Sequence, residues 1–175
     1  MVRGTANAIT HRWTLSQRYL SNQIDRATWR TTLIRRLSAD LSLGIEYNAK
    51  VGEVGPLVNW RLARETGRRP SLMVGTSSDR IGTPHGRAYY VTASKSLTLG
   101  GRAIGPYAGL LWSTYDDQFL VPMGLNVPLG AGWSGQLFYD GRHTHYMATH
   151  TQGRYSVGFL AIEGRDPGVT VSVGF

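Results

Sequence analysis

The chain contains no cysteine, which excludes a disulfide scaffold and any zinc or redox centre built on thiolates. Acidic side chains are few: 11 Asp and Glu stand against 19 Lys and Arg, a net charge of +8. The basic residues are scattered rather than run together, and no nucleic-acid-binding motif accompanies them, so no nucleic-acid partner is expected. Charged residues make up only 17% of the chain, below the ~25% of ordinary soluble domains. No apolar run approaches the ~18–20 residues of a membrane helix. Met1-Val2-Arg3-Gly4 leads into no apolar signal segment, so an exported protein would here be a mature form or an excised barrel. Gly100-Gly101-Arg102 lacks the Gly-Lys-Ser/Thr and following helix of a phosphate loop.

What is abundant is glycine, 22 of 175 residues, together with alternation of period two. In Leu41–Val51 every odd position is apolar or aromatic and every even one small, polar or charged. That is the mark of a two-faced strand. Phe119–Leu129 nearly repeats it, with Pro122 and Pro128 on the other parity, so local bulges are expected there. Strands are expected at 6–17, 28–38, 41–51, 54–65, 70–79, 86–97, 102–114, 118–129, 132–140, 142–150, 154–163 and 168–175. Gly- and Asp-rich turns such as Gly130-Ala131-Gly132 and Asp140-Gly141 separate them, as tight hairpins require. Only the first connection, about residues 18–27, is long. No linker divides the chain, so residues 1–175 are expected to form one domain.

The sequence ends on Val169-Thr170-Val171-Ser172-Val173-Gly174-Phe175, apolar on one parity and closed by an aromatic. This ending resembles the C-terminal β-signal of bacterial outer-membrane β-barrels. The resemblance implies an all-β, closed, antiparallel up-and-down transmembrane barrel of about twelve strands, with ten also open. It implies a bacterial outer-membrane location, outer-membrane lipid and lipopolysaccharide as surroundings, and an apolar face turned to lipid. Twelve strands would put both termini at one end. Trp29, Tyr89, Trp112 and Phe119 would then ring one end, and Trp60, Trp133, Tyr155 and Phe175 the other, like aromatic girdles. Arg35 and Lys95 break the pattern by sharing the apolar parity; near strand ends they would snorkel or follow a bulge.

The opposite parity gives an expected lumen lining of Arg12, Arg30, Arg36, Glu46, Lys50, Asn59, Arg61, Glu65, Gln136 and Asp140. Such a lining would either favour small anionic solutes or fill the barrel with Arg–carboxylate pairs. His143 and His145 are two apart and could address one metal with Asp140 nearby, although a polar hairpin rim explains them as well. Outer-membrane lipid hydrolases commonly pair His with a Ser two residues on; here position 145 is His, and the nearest downstream serine is Ser156. Asp116-Asp117 alone would make a poor Ca²⁺ site. No cofactor and no catalytic residue is assigned, and the oligomeric state is left open. The leading expectation is a small porin-like pore or passive channel with a basic lumen. The alternatives are a non-conducting accessory barrel of an export or surface-polymer system, a rim-located lipid-modifying enzyme, and a soluble calycin-like ligand-binding barrel.

Overall fold

Around the sheet the main strands hydrogen-bond in the order in which they follow one another along the chain, and the last returns to the first. The computed structural model describes residues 11–21 and 24–175. In order these are β1 (Trp13–Leu20), the one-turn helix α1 (Asp25–Thr28), β2 (Trp29–Arg36), β3 (Leu41–Asn48), β4 (Glu53–Ala63), β5 (Ser71–Ser78) and β6 (Arg87–Ser94). There follow β7 (Leu97–Leu99), β8 (Arg102–Ser113), β9 (Gln118–Leu120), β10 (Met123–Gly130), β11 (Trp133–Tyr139), β12 (Thr144–Gln152), β13 (Tyr155–Ile162) and β14 (Asp166–Gly174). Twelve of these strands form a closed antiparallel up-and-down barrel. Closure is made by β1 on β14, from Thr14↔Gly174 to Leu20↔Gly168. Trp13 and Phe175 exchange both backbone bonds at 2.9 and 3.0 Å. A closed sheet leaves no unpaired edge.

β7 and β9 continue neighbouring strands across interruptions. β9 pairs with Leu111–Ser113 of β8, and β10 takes up pairing lower down from Met123↔Ala108. The break falls at Val121-Pro122, where proline has no N–H to give the ladder; the Pro122 carbonyl accepts from Gly109 N–H at 2.9 Å instead. β6 breaks at Lys95, whose ammonium turns down to the carbonyls of Gly67 and Arg69 in the 64–70 turn. Arg35 stays on the outer wall with its guanidinium over the Trp13 ring, 5.3 Å from the centroid.

The first strand lies later than the sequence pattern places it, at Trp13–Leu20 rather than 6–17; residues 6–10 lie outside the described residues. Gln17 and Arg18 interrupt the apolar alternation and read as a strand end. In the sheet Gln17 accepts a bond from Thr31 on β2 and Arg18 turns inward. The long connection contains α1, which the sequence reading lacks.

Side-chain direction is consistent around the wall. Ile45, Val54, Trp60, Phe119, Phe159 and Val171 are each at least half exposed on the outside. Tyr19, Trp29, Tyr47, Tyr89, Phe119 and Tyr146 mark the end bearing α1, here the upper end; Trp60, Trp133, Tyr155 and Phe175 mark the opposite end, where Trp13 pairs with Phe175. Inside, glycines let large polar residues lie along the wall. A Cβ on Gly75 would overlap the Val58 carbonyl and come within 2.6 Å of the Tyr90 ring; one on Gly124 would meet the Tyr107 ring at the same distance. Gly75→Val should therefore cost ~1–3 kcal/mol by overpacking. Urea unfolding of detergent-folded protein should show a lowered midpoint, while Gly67→Ala, with no described residue within 4 Å, should leave it unchanged.

Candidate functional site

Pairing registers set a row of polar side chains across the upper wall: Arg18 opposite Arg30, Arg30 opposite Asn48, and Asn48 opposite Glu53. One residue pair lower, Glu46 points inward and is 1% exposed. Its carboxylate accepts from Arg30 Nε at 2.8 Å, from Ser78 Oγ at 2.8 Å, from Ser78 N–H, and from Arg87 Nη1 at 3.4 Å. Arg87 sits on β6 and reaches Glu46 on β3 by crossing the inner face of β4 at Gly55, where a Cβ would collide with its guanidinium. Charges cluster here because inward parity leaves them no route to water except along the lumen, and burial is tolerable only when they are paired.

Above this layer α1 and the 79–86 loop cap the mouth. Arg26 of α1 is 4% exposed. It donates to Glu53 Oε2 at 2.7 Å, Thr83 Oγ1 at 2.8 Å and the Gly86 carbonyl at 2.6 Å, tying the helix to the loop. From the loop, Arg80 grips both oxygens of Asp116 in the 114–117 turn at 2.7–2.9 Å. Asp79 beside it accepts from Ser113 Oγ at 2.8 Å. An apolar cluster of Leu20, Ala27, Leu160 and Ile162, with Ile81 and Met147 against it, fills the adjoining part of the mouth. Beneath the cap lies a chamber of about 290 Å³ bounded by Arg18, Arg30, Asn48, Tyr90, Tyr107 and Phe138, among others.

The residues expected to line the lumen fall into three groups. Arg30, Glu46, Asn59, Arg36 and Gln136 lie on inward positions of β2, β3, β4 and β11, with Asn59 accepting from Tyr90 Oη at 2.8 Å. Arg12, Arg61 and Glu65 belong to the lower rim: Arg61 lies 3.6 Å from Asp40, and Glu65 accepts from Ser96. Lys50 and Asp140 belong to the upper rim. Lys50 is exposed in the 49–52 turn and pairs with Asp25, whereas Asp140 also borders the chamber. Arg18, Arg26, Asn48, Arg80 and Arg87 escaped the sequence reading. Arg18 and Arg26 fell within the connection that the misplaced first strand had lengthened. Asn48 shares the polar parity of Glu46, and that alternation is the signal by which it could have been found.

The histidines diverge. His145 is 1% exposed; its Nε2 bonds Asp140 Oδ2 at 3.0 Å and its Nδ1 accepts from Glu163 N–H at 3.3 Å. The Glu163 contact fixes the tautomer with the proton on Nε2. Both nitrogens are engaged, so neither is free to take a proton from a hydroxyl nucleophile. His143 stays in the turn, half exposed, 3.2 Å from Glu163 Oε1. Ser156 lies near the lower end, bonded to Thr151. Among the described residues no three His, Cys, Asp or Glu side chains are grouped to hold a metal. Asp116 of the Asp116-Asp117 pair is committed to Arg80.

Compared with protein-family models and with curated proteins, the sequence matches none.

Two rim carboxyls are held below their ordinary range. For each, burial pushes upward and is overcome: at Asp116 by Arg80, Ser113 and Arg142, at Asp140 by His145 and the N–H groups of His143 and Arg142. A carboxyl depressed in the closed state contributes its stabilisation in full above the ordinary value and loses it as pH falls through the depressed one. The cap should thus be equally closed at pH 7 and 5 and loosen only below pH ~4. Amide exchange at Asp79 and Thr83, corrected for intrinsic rates, should show that profile. Asp116→Asn should exchange ~10-fold faster at pH 7, as expected for loss of a charge-assisted bond.

Proposed function

We propose that this barrel resides in a Gram-negative-type outer membrane and works as a narrow passive pore with a basic lumen, held shut at its upper end by α1. The observation that carries the reading is the inverted wall: tyrosines, tryptophans and aliphatics outside, Arg30, Glu46, Arg87 and Asn59 within. Free in water, an apolar exterior of this kind would drive association; in a bilayer it is the solvated surface, and aromatics toward both ends of the wall are what interfacial girdles consist of. A soluble calycin-like carrier needs the reverse, an apolar interior around its ligand. An unpaired excess of guanidinium in the lumen favours anions over cations.

A closed resting state follows from Arg26. Its bonds to Glu53, Thr83 and Gly86 join three segments of the upper rim, and the mouth opens only if they part. The accessory, non-conducting barrel is the second reading, favoured by the apolar cluster around Leu20 and Ile162 that fills part of the mouth.

Planar-bilayer recording separates the two. Wild-type protein should give rare, small, anion-selective steps, and Arg26→Ala should raise their frequency at least ~10-fold, as loss of a buried ion pair implies. Arg61→Gln should shift the reversal potential in a salt gradient toward zero selectivity. Silence of both wild type and Arg26→Ala, with protein that still shows heat-modifiable migration, would establish the accessory role. A monodisperse protein in plain buffer would remove the membrane assignment altogether.

A further inference from the structure

We infer that the capped chamber is a binding site for a small carboxylate-bearing solute, received by the Arg18 guanidinium with Asn48 beside it. The inference deepens the pore reading by naming the solute, and rests on it for the route by which that solute arrives.

The argument starts from acceptors already used. A carboxylate offers about four lone-pair sites. Glu46 spends its own on Arg30, Arg87 and Ser78. Glu53 is taken by Arg26, and Asp116 by Arg80. Asp140 is occupied by His145 and two backbone N–H groups, and Asp79 by Ser113 and two others. Arg18 is left over. Its Nε is buried and has no hydrogen-bond partner among the described residues. The charged groups that act on it are Arg30, Glu46 and Arg26, two cations against one anion already shared. Asn48, 2% exposed, likewise has its Nδ2 buried with no acceptor.

Both unpartnered donors border the same chamber. Buried polar groups in native proteins are almost always satisfied, and an orphan calls for an explanation such as a bound ion or ligand. Two orphans facing one cavity, both donors and one of them cationic, specify an anionic acceptor. A guanidinium fork matches the planar geometry of a carboxylate. The rest of the lining selects for what the carboxylate carries: the rings of Tyr90, Tyr107 and Phe138 and the side chain of Leu111 present apolar surface. About 290 Å³ is the low end of small-molecule sites, which suits a body of one ring or a short chain.

Titration calorimetry on detergent-folded protein tests this with benzoate, inorganic phosphate and benzyl alcohol as probes. It is run on wild type and on Glu53→Gln, whose loosened cap prevents a shut mouth from hiding the site. Benzoate should bind saturably, and at least 10-fold more tightly than phosphate or benzyl alcohol. Arg18→Gln should weaken benzoate at least 10-fold, while Arg102→Gln, at the exposed lower start of β8, should leave it unchanged. Because Arg18→Gln could disturb the wall, Asn48→Asp serves as a second variant; it places a carboxylate in the chamber and should suppress benzoate binding with heat-modifiable migration intact. Absence of benzoate binding in both wild type and Glu53→Gln overturns the inference, as does equal affinity for benzyl alcohol, equal affinity for phosphate, or indifference to Asn48→Asp. The titration needs no conductance, so a silent barrel that binds benzoate removes the pore and keeps the site. A conducting barrel that ignores benzoate does the reverse.

Discussion

A carboxylate withdrawn from water inside a wall of arginines governs how the upper half of this barrel is built. Glu46 is 1% exposed, and leaving such a charge unpaired would cost several kcal/mol. Its donors come from β2, β5 and β6, so meeting its demand fixes side chains on strands as many as three places apart. Arg87 can answer only because Gly55 leaves the inner face of β4 bare. Arg30 can answer only from its inward position on β2. Once those donors are in place Glu46 has nothing left for Arg18, and the uneven charge of the chamber follows.

The same economy of space explains the lumen below. Inward positions on β3, β5, β8 and β10 carry Gly44, Gly75, Gly109 and Gly124, each with the next strand's backbone or a side chain tight against the missing Cβ. Tyr90 lies over Gly75 and Tyr107 over Gly124, with their rings against the wall. A β-branched residue at those sites would push the rings toward the axis. Glycine is a poor strand former, so its recurrence on one face points to close packing there. The abundance visible in the composition thus has a structural reason, and that reason lies on the inner surface rather than only in the turns.

Most of the architecture was readable because barrels repeat one rule. Alternation of period two marked β2 to β6, β8 and β10 to β14 within a few residues, and Pro122 announced the break it causes. The failures share a cause too. At β1 the pattern is diluted by Gln17 and Arg18, and only pairing with β14 and β2 decides that the strand runs on to Leu20. A four-residue helix such as α1 has no periodicity to detect, since one turn cannot show a repeat of 3.6. The site was less readable than the wall. Parity says that Arg30 and Glu46 point inward, but not that Arg87 crosses a strand to join them. Whether Lys50 and Glu65 belong to the lumen depended on where each strand stops, which is the least determined feature of an alternating pattern.

The two ends of the barrel are built for different tasks. At the lower end Trp13 and Phe175 pair through the backbone, and rim charges such as Asp40, Arg61 and Arg64 stay partly or largely exposed, where water shares the work of solvating them. At the upper end Arg26, Arg80 and Asp116 are nearly withdrawn from solvent, and their bonds run between segments far apart in sequence. Ion pairs of the first kind contribute little; those of the second resist parting because each partner would be left charged and dry. α1 and the 79–86 loop are therefore held over the rim by side chains, whereas the wall is held by its ladder. A barrel needing only rigidity would be served by apolar packing of the Leu20 and Ile162 kind throughout its mouth. The proposed closable entrance draws on that packing on one side and a set of charged clasps on the other.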